Sequence, residues 1–387
     1  MIYFDNAAGS WPKPEVVLAA MERFLRECGV GPGRSGHSLS IGAGRSVYGA
    51  RESVARLFLL DDPLAVVFTK NATEALNLAL YGLLEPGDHV ITSAMEHNAV
   101  LRPLRFLEEG GVGVARLPCA GDGTIDPDDV RRAITDKTKL VVLNHASNVV
   151  GTLLPVAEVG RLAAERDLLF CVDAAQSAGA VPIEMKEMGI DLLAFTGHKA
   201  LLGPQGTGGL CVGERARSRL RPLLRGGTGS SSESDNHPEF LPDCFEAGTL
   251  NAVGLSGLAA GIGFIREMGL SAIREHESDL TARLIDGLQD IPVTGILGPA
   301  DVRRRTSIVS FNLDGWSCSE LAQALEDRFG ICCRAGLHCA PLAHRTLGTF
   351  PEGAVRFSLG IFNTQSEVST ALDALRDLAT QGRGAMS

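Results

Sequence analysis

The sequence has no uncharged apolar run long enough to cross a bilayer. The stretch from Gly254 to Phe264 is about half of the roughly 20 residues a membrane-spanning helix needs. No basic segment leads into an apolar run behind Met1-Ile2-Tyr3-Phe4-Asp5, so no secretory signal is expected and the cytoplasm is the expected compartment. A basic patch is missing too. Asp and Glu outnumber Lys and Arg by 46 to 36, and the resulting field opposes a nucleic-acid partner. Internal repeats and low-complexity tracts do not occur, and 45% hydrophobic with 21% charged residues excludes coiled-coil, collagenous and largely disordered chains. The nine cysteines are odd in number and include no paired C-x-x-C hooks, so neither a disulfide framework nor a zinc ribbon is expected. Cys332 and Cys333 read as a strand end whose side chains point to opposite faces. They therefore cannot join His338, Cys339 and His344 in one metal site, and no metal is expected.

What is present is an alternation of short apolar runs with longer amphipathic ones between Ala65 and Gly213, the pattern of strand and crossover helix. Seven strands are expected: 65–68, 89–92, 112–117, 140–144, 168–172, 192–195 and 210–212. Asp126-Pro127-Asp128-Asp129 marks a helix start, with a capping carboxylate, Pro in the first turn and acids at the positive end of the dipole. Residues 226–242 read as a surface loop. From about Ala252 the texture changes to long helices, 251–268 and 271–290, and then to an alternating run at 307–313. The expected architecture is α/β. A large domain over 15–252 carries a mainly parallel seven-stranded sheet, and residues 1–14 with 253–387 form a smaller α+β domain.

Chemistry-bearing residues gather where these strands end. Lys199 follows an apolar strand in Phe195-Thr196-Gly197-His198-Lys199, where it can form an imine with an aldehyde cofactor while Thr196 and His198 donate to a phosphate. Asp173 ends the run Leu169-Phe170-Cys171-Val172 and can keep a pyridine nitrogen protonated, with Gln176 three residues on. Thr73 opens a helix whose free N–H groups suit a phosphate. His97 can stack on an aromatic ring. Each has a plainer reading alone: a surface lysine, a capping Asp, a ligand-free cap. Four such junctions from one sheet are improbable as independent caps.

In these residues the chain resembles the fold-type I, class V aminotransferase-like enzymes that use pyridoxal 5′-phosphate, and among them the cysteine desulfurases. The likeness runs from Phe4-Asp5-Asn6-Ala7-Ala8 through Asn144-His145-Ala146-Ser147-Asn148-Val149-Val150-Gly151-Thr152 to Val355-Arg356-Phe357-Ser358. The resemblance implies that Lys199 holds the cofactor as an imine, Asp173 pairs with its ring nitrogen, Gln176 contacts its phenolic oxygen and His97 stacks on it. It implies Ala72, Thr73, Thr196 and His198 at the phosphate, with Ala72 standing where many relatives carry a hydroxyl. Asn148 and Arg356 would orient the substrate, Arg356 as a bidentate fork on its carboxylate. Arg34 and His37 match a segment that lines the site. Phe245-Glu246-Ala247-Gly248-Thr249 matches the motif whose threonine reaches the phosphate of the other subunit, implying a homodimer with shared sites.

The segment from Cys332 to Pro341 resembles the short catalytic loop of group II desulfurases, the sulfur-mobilisation and selenocysteine-lyase branch. Leu337 replaces a histidine common there. Cys339 falls on the nucleophile position, and Arg334 and His338 would favour its thiolate. The resemblance implies removal of sulfur from L-cysteine, giving L-alanine and a persulfide on Cys339 that passes to an acceptor protein. The alternatives are a selenocysteine lyase, or another class V enzyme such as an aminotransferase that does not use the thiol.

Overall fold

Seven strands between Val66 and Val212 join one sheet, its central ones buried on both faces and its edge strand Gly113–Leu117 only half-buried, in a computed structural model that describes residues 1–33 and 35–381. Across the sheet the order is Val66–Thr69, Gly208–Val212, Leu192–Thr196, Leu169–Asp173, Thr138–Asn144, His89–Ser93 and Gly113–Leu117. Gly208–Val212 runs antiparallel to both neighbours and the remaining pairings are parallel. The sheet is thus the mainly parallel, seven-stranded one expected from the sequence. Along Thr138–Asn144, Val141 and Leu143 enter one core while Leu140 and Val142 enter the other. This alternation is why helices cover both faces. Asp126 caps Pro127–Ala133 by accepting the Asp128 N–H, as its sequence neighbours dictate.

A second, antiparallel sheet has the order Arg334–Gly336, Ala354–Ser358, Ile308–Leu313, Val293–Leu297. It shares an apolar core with helices Leu270–Gln289, Cys318–Phe329 and Gln365–Gln381. The chain's first strand, Ile2–Tyr3, pairs in parallel with Ile331–Cys332, and Phe4 is buried in that same core.

Helix Ala252–Met268, which the sequence reading assigned to the smaller domain, packs instead with the large sheet. Leu255, Leu258, Ile262 and Ile265 belong to its core. Small residues permit the close approach. A Cβ added at Gly261 would stand 2.5 Å from the Leu201 carbonyl oxygen, and one at Gly257 2.8 Å from Met21. Among the described residues no single helix is long and apolar enough to cross a membrane. Ala252–Met268 and Leu270–Gln289 reach the necessary length only as a pair bent by 80°. Residues 218–251, including the expected loop, form no helix or strand.

Candidate active site

Five parallel strands end at Thr69, Ser93, Asn144, Asp173 and Thr196, and the turns that follow them converge on one polar cleft of about 890 Å³. This is the end of an open α/β sheet at which ligands bind. Ala72, Thr73, His97, Asn148, Asp173, Gln176, Thr196, His198 and Lys199 all line it, together with Arg334 and Arg356 from the smaller sheet and His338 from the loop after Arg334–Gly336.

Lys199 stands at the floor with its backbone pinned: the Ser10 hydroxyl donates to the Lys199 carbonyl at 2.9 Å, and Lys13 donates to the His198 carbonyl at 2.9 Å. Burial first, then the positive charges of Arg356 and Arg334, bring the Lys199 amine down to about 8, with the Asp173 carboxylate opposing. A near-neutral amine is a nucleophile, which a surface lysine is not. Asp173 is buried and accepts the Ala175 N–H at 2.9 Å. Burial raises its pKa, against that hydrogen bond and the charge of Lys199.

Helix Ala72–Leu83 begins at the cleft, capped by Asn71, which accepts the Glu74 N–H at 3.0 Å. The Thr196 hydroxyl and His198 Nδ1 are 3.0 Å apart. His97 caps helix Asn98–Glu109, its Nδ1 accepting the Ala99 N–H at 3.0 Å. It is therefore a neutral imidazole, and burial together with the charge of Lys199 lowers its pKa to about 4. The Gln176 amide donates to the Ala7 carbonyl at 3.0 Å.

These groups fit a phosphorylated pyridine aldehyde. Helix N–H groups, Thr73 and the Thr196–His198 pair suit the phosphate; the buried Asp173 carboxylate suits a cationic ring nitrogen; Lys199 suits the aldehyde carbon. Asn144 Oδ1, Asn148 Oδ1 and Arg356 Nε are buried without any hydrogen-bond partner, which leaves polar capacity in this region for a ligand to meet.

Cys339 stands at the mouth. It is exposed and lines a shallow groove with His97, Asn98, Arg102 and Phe106. His338 and Cys339 both have left-handed backbones, at φ 50° and 57°. That is an uncommon conformation for side chains of this size. Two hydrogen bonds hold it: Asn148 Nδ2 donates to the His338 carbonyl at 2.6 Å, and the Asn98 N–H to the Cys339 carbonyl at 2.8 Å. Arg334 Nη2 lies 3.8 Å from Cys339 Sγ.

Several expectations change. His338 is buried, its Nδ1 3.2 Å from His344 Nε2, and desolvation and the charge of Arg356 drive its pKa down to about 2. It is neutral and adds no positive charge beside the thiol, where Arg334 stands within reach and Arg356 acts from farther off. The Arg356 fork is partly engaged, Nη1 with the Asn148 carbonyl at 2.9 Å and Nη2 with Asp5 at 2.8 Å. His37 does not line the cleft; it is exposed and caps helix Ser38–Leu57, accepting the Ser40 N–H. Gly248 and Thr249 line a separate pocket with Arg51 and Glu246 and not their own chain's cleft. Arg34 lies outside the described residues.

Asp5, Asn71 and Asn144 escaped the sequence reading as site residues. Asn144 carried a usable signal, since it ends the apolar run Leu140–Leu143 as Asp173 ends its own, and the two are register partners.

The aminotransferase class-V family model matches residues 2–370. The chain is similar to a protein of Methanothermobacter thermautotrophicus named "Probable cysteine desulfurase", 36% identical over 98% of this chain and 95% of that one. A Pyrococcus abyssi protein of the same name is 34% identical, over 98% and 94%. Among solved structures, a cysteine desulfurase from Thermococcus onnurineus superposes with a TM-score of 0.92 at 35% identity, covering 98% of this chain and 94% of that chain. Cysteine desulfurase CsdA from Escherichia coli superposes with a TM-score of 0.87 at 29% identity, with the same coverage.

Proposed function

The chain belongs to the aminotransferase class-V family and, within it, to the cysteine desulfurases, and from that membership we propose that it takes sulfur from L-cysteine, leaving L-alanine and a persulfide on Cys339. One observation carries the reading: an exposed cysteine, held in an uncommon backbone conformation, stands at the mouth of a cleft whose floor pairs a lysine with a buried carboxylate.

Pyridoxal 5′-phosphate, when bound, supplies an aldehyde carbon for amines and a cationic ring that accepts the electron pair left at the substrate's α-carbon. Thr73, Thr196, His198 and the N–H groups at Ala72 would hold its phosphate, Asp173 its ring nitrogen, Gln176 its phenolic oxygen, and His97 would stack against its ring. Lys199 Nζ would bind it covalently. Lys199, when its amine is free, would remove the substrate's α-proton, a task suited to a base whose pKa is brought near the working range. Arg356 and Asn148 orient the substrate carboxylate. Cys339 Sγ then attacks the substrate sulfur: the S–S bond forms as the C–S bond breaks, and the electron pair returns to carbon, where protonation completes alanine. Arg334, 3.8 Å from the thiol, favours the attacking thiolate.

Thr249, away from its own chain's cleft, would complete the phosphate cradle of a second copy in a homodimer. The groove beside Cys339, with unpaired Arg102 and the exposed ring of Phe106, is the approach for an acceptor protein that offers a thiol flanked by acidic and apolar residues. All nine cysteines are free, as suits a reducing cytoplasm. The test is stoichiometric production of alanine and sulfide from L-cysteine, with mass spectrometry locating a mass gain of one sulfur on Cys339. Alanine without sulfur on that residue would overturn the reading.

A further inference from the structure

Glu96 immediately precedes His97 and lies directly behind the cleft wall, with 0% of its surface exposed. Its Oε1 accepts the Ser93 hydroxyl at 2.5 Å and the Asn144 N–H at 3.1 Å. Its Oε2 is buried without a partner. Among the described residues it forms no ion pair. The ionisable groups that face it are Asp173 and Cys171 on strand Leu169–Asp173, and Cys119 beyond strand Gly113–Leu117. Every one of them becomes an anion on ionising, and none is a cation.

A carboxylate in that position would leave one charged oxygen unsolvated and place the other beside two donors only. Burying an unpaired charge costs several kcal/mol, far more than burying an unpartnered hydroxyl. Lys199, the cation that acts on Asp173, already answers that acid facing the cleft, and the buried Arg356 is engaged by Asp5. An ionised Glu96 would therefore face the charge of Asp173 with no cation of its own.

We propose that Glu96 is held as a neutral carboxylic acid and acts as a positioning residue. Its Oε1 ties the end of strand His89–Ser93 to the end of strand Thr138–Asn144, so that the turns bearing His97 and Asn148 are fixed relative to one another. Its neutrality leaves Asp173 as the single negative charge at the cleft floor. Ser93 reinforces the bracket by accepting the Met95 N–H at 3.1 Å, and Asn144 by donating its side-chain amide to the Met95 carbonyl at 2.8 Å. The segment from Ser93 to His97 is therefore clamped on both sides. Burial raises the Glu96 carboxyl to about 8, against the hydrogen bonds from Ser93 and Asn144. The acid form consequently prevails at neutral pH.

This deepens the proposed reading of the cleft, and its decisive test needs no turnover. Difference infrared spectra between about pH 6.5 and pH 9.5, taken on cofactor-free protein, should show a protonated-carboxyl band in the wild type that is missing from Glu96→Gln. Equal protonated-carboxyl intensity in the two proteins at the lower pH would overturn the proposal. In parallel, Glu96→Gln, which keeps the shape and the lack of charge, should bind pyridoxal 5′-phosphate within about twofold of wild type, whereas Glu96→Ala should bind it about tenfold more weakly. A Gln variant as weak as the Ala variant would show that charge is needed; an unaffected Ala variant would show that nothing is positioned. Either result refutes the proposal, and if Glu96→Ala does not fold, the infrared comparison with Glu96→Gln still decides. Absence of sulfide release by the wild type alongside the expected infrared difference would sink the reaction reading and leave the Glu96 assignment standing.

Discussion

Asp5 and Arg356 stand 351 positions apart in the chain and meet at 2.8 Å, with Arg356 only 1% exposed. The N-terminal segment thereby fixes the arginine proposed to hold the substrate carboxylate. A second anchor, the Asn148 carbonyl, holds the other terminal nitrogen. The planar fork is aimed before any substrate arrives.

Arg356→Lys keeps the charge but loses the fork geometry. The KM for L-cysteine should rise about a hundredfold, as steady-state kinetics will show. Asp5→Asn keeps a hydrogen-bond acceptor but not the charge, and a rise of about tenfold is expected. An unchanged KM in Arg356→Lys would remove this residue from the substrate site.

Cys339→Ala should retain the visible absorption of bound pyridoxal 5′-phosphate, because the cofactor contacts lie elsewhere in the cleft. Sulfide release from L-cysteine should fall by at least about a hundredfold. L-Selenocysteine assayed in parallel distinguishes the selenocysteine-lyase reading, since selenium leaves carbon more readily and its release can survive the loss of the thiol. Undiminished sulfide release would overturn the nucleophile assignment.

The Lys199 amine, brought down to about 8 mainly by burial, captures an aldehyde only in its neutral form. Covalent uptake of pyridoxal 5′-phosphate by cofactor-free protein should therefore accelerate about tenfold per pH unit below pH 8 and level off above it. Stopped-flow absorbance from about pH 6 to 9.5 reads this directly. A plateau displaced toward the ordinary lysine value of 10.5 would show that the cleft does not lower the pKa.

Buried neutral histidines set an acid limit. Burial lowers His145 and His344 to about 4 and His338 to about 2. Below their unfolded value of 6.5 the unfolded chain takes up protons that the folded one refuses. Their contribution is complete above pH 6.5 and is lost as pH falls, by on the order of 2 kcal/mol per histidine at pH 5. Denaturant midpoints at pH 7 and pH 5 should differ accordingly, and His344→Asn should reduce the difference. Equal midpoints for the wild type would show that these rings gain protons without unfolding.

Arg102 and Phe106 face the groove at Cys339. Arg102→Glu combined with Phe106→Ser should leave sulfide release to a small dithiol within about twofold. Transfer from the persulfide to a synthetic peptide thiol flanked by Glu and Leu should drop about tenfold, and a Lys-flanked peptide should no longer be disfavoured. Equal transfer to both peptides by the wild type would remove the groove from acceptor binding.

The strands and the chemistry at their ends could be read in advance because both are local. Four or five apolar residues followed by a polar one announce a buried strand and its ligand-facing turn, as at Leu192–Thr196 and Leu169–Asp173. His37 differs: it matches a site-lining segment of the family, and only the fold shows it exposed at the cap of helix Ser38–Leu57 and away from its own chain's cleft. Helix Ala252–Met268 was assigned to the wrong layer because uniform apolarity does not say which sheet will cover it. Its glycines matter only once Met21 and Leu201 are seen beside them.

By itself the sequence determined the α/β sheet and the lysine, acid and histidine at its strand ends, since each depends on neighbours a few residues away, while the cysteine loop was legible through its resemblance to the desulfurases. Tertiary structure alone decided that His338 is uncharged, that Asp5 aims Arg356, that Thr249 lies outside its own chain's cleft and that Glu96 has no cation to face. Charge state and alignment are set by burial and by partners brought together across hundreds of residues, and those exist only when the chain is folded.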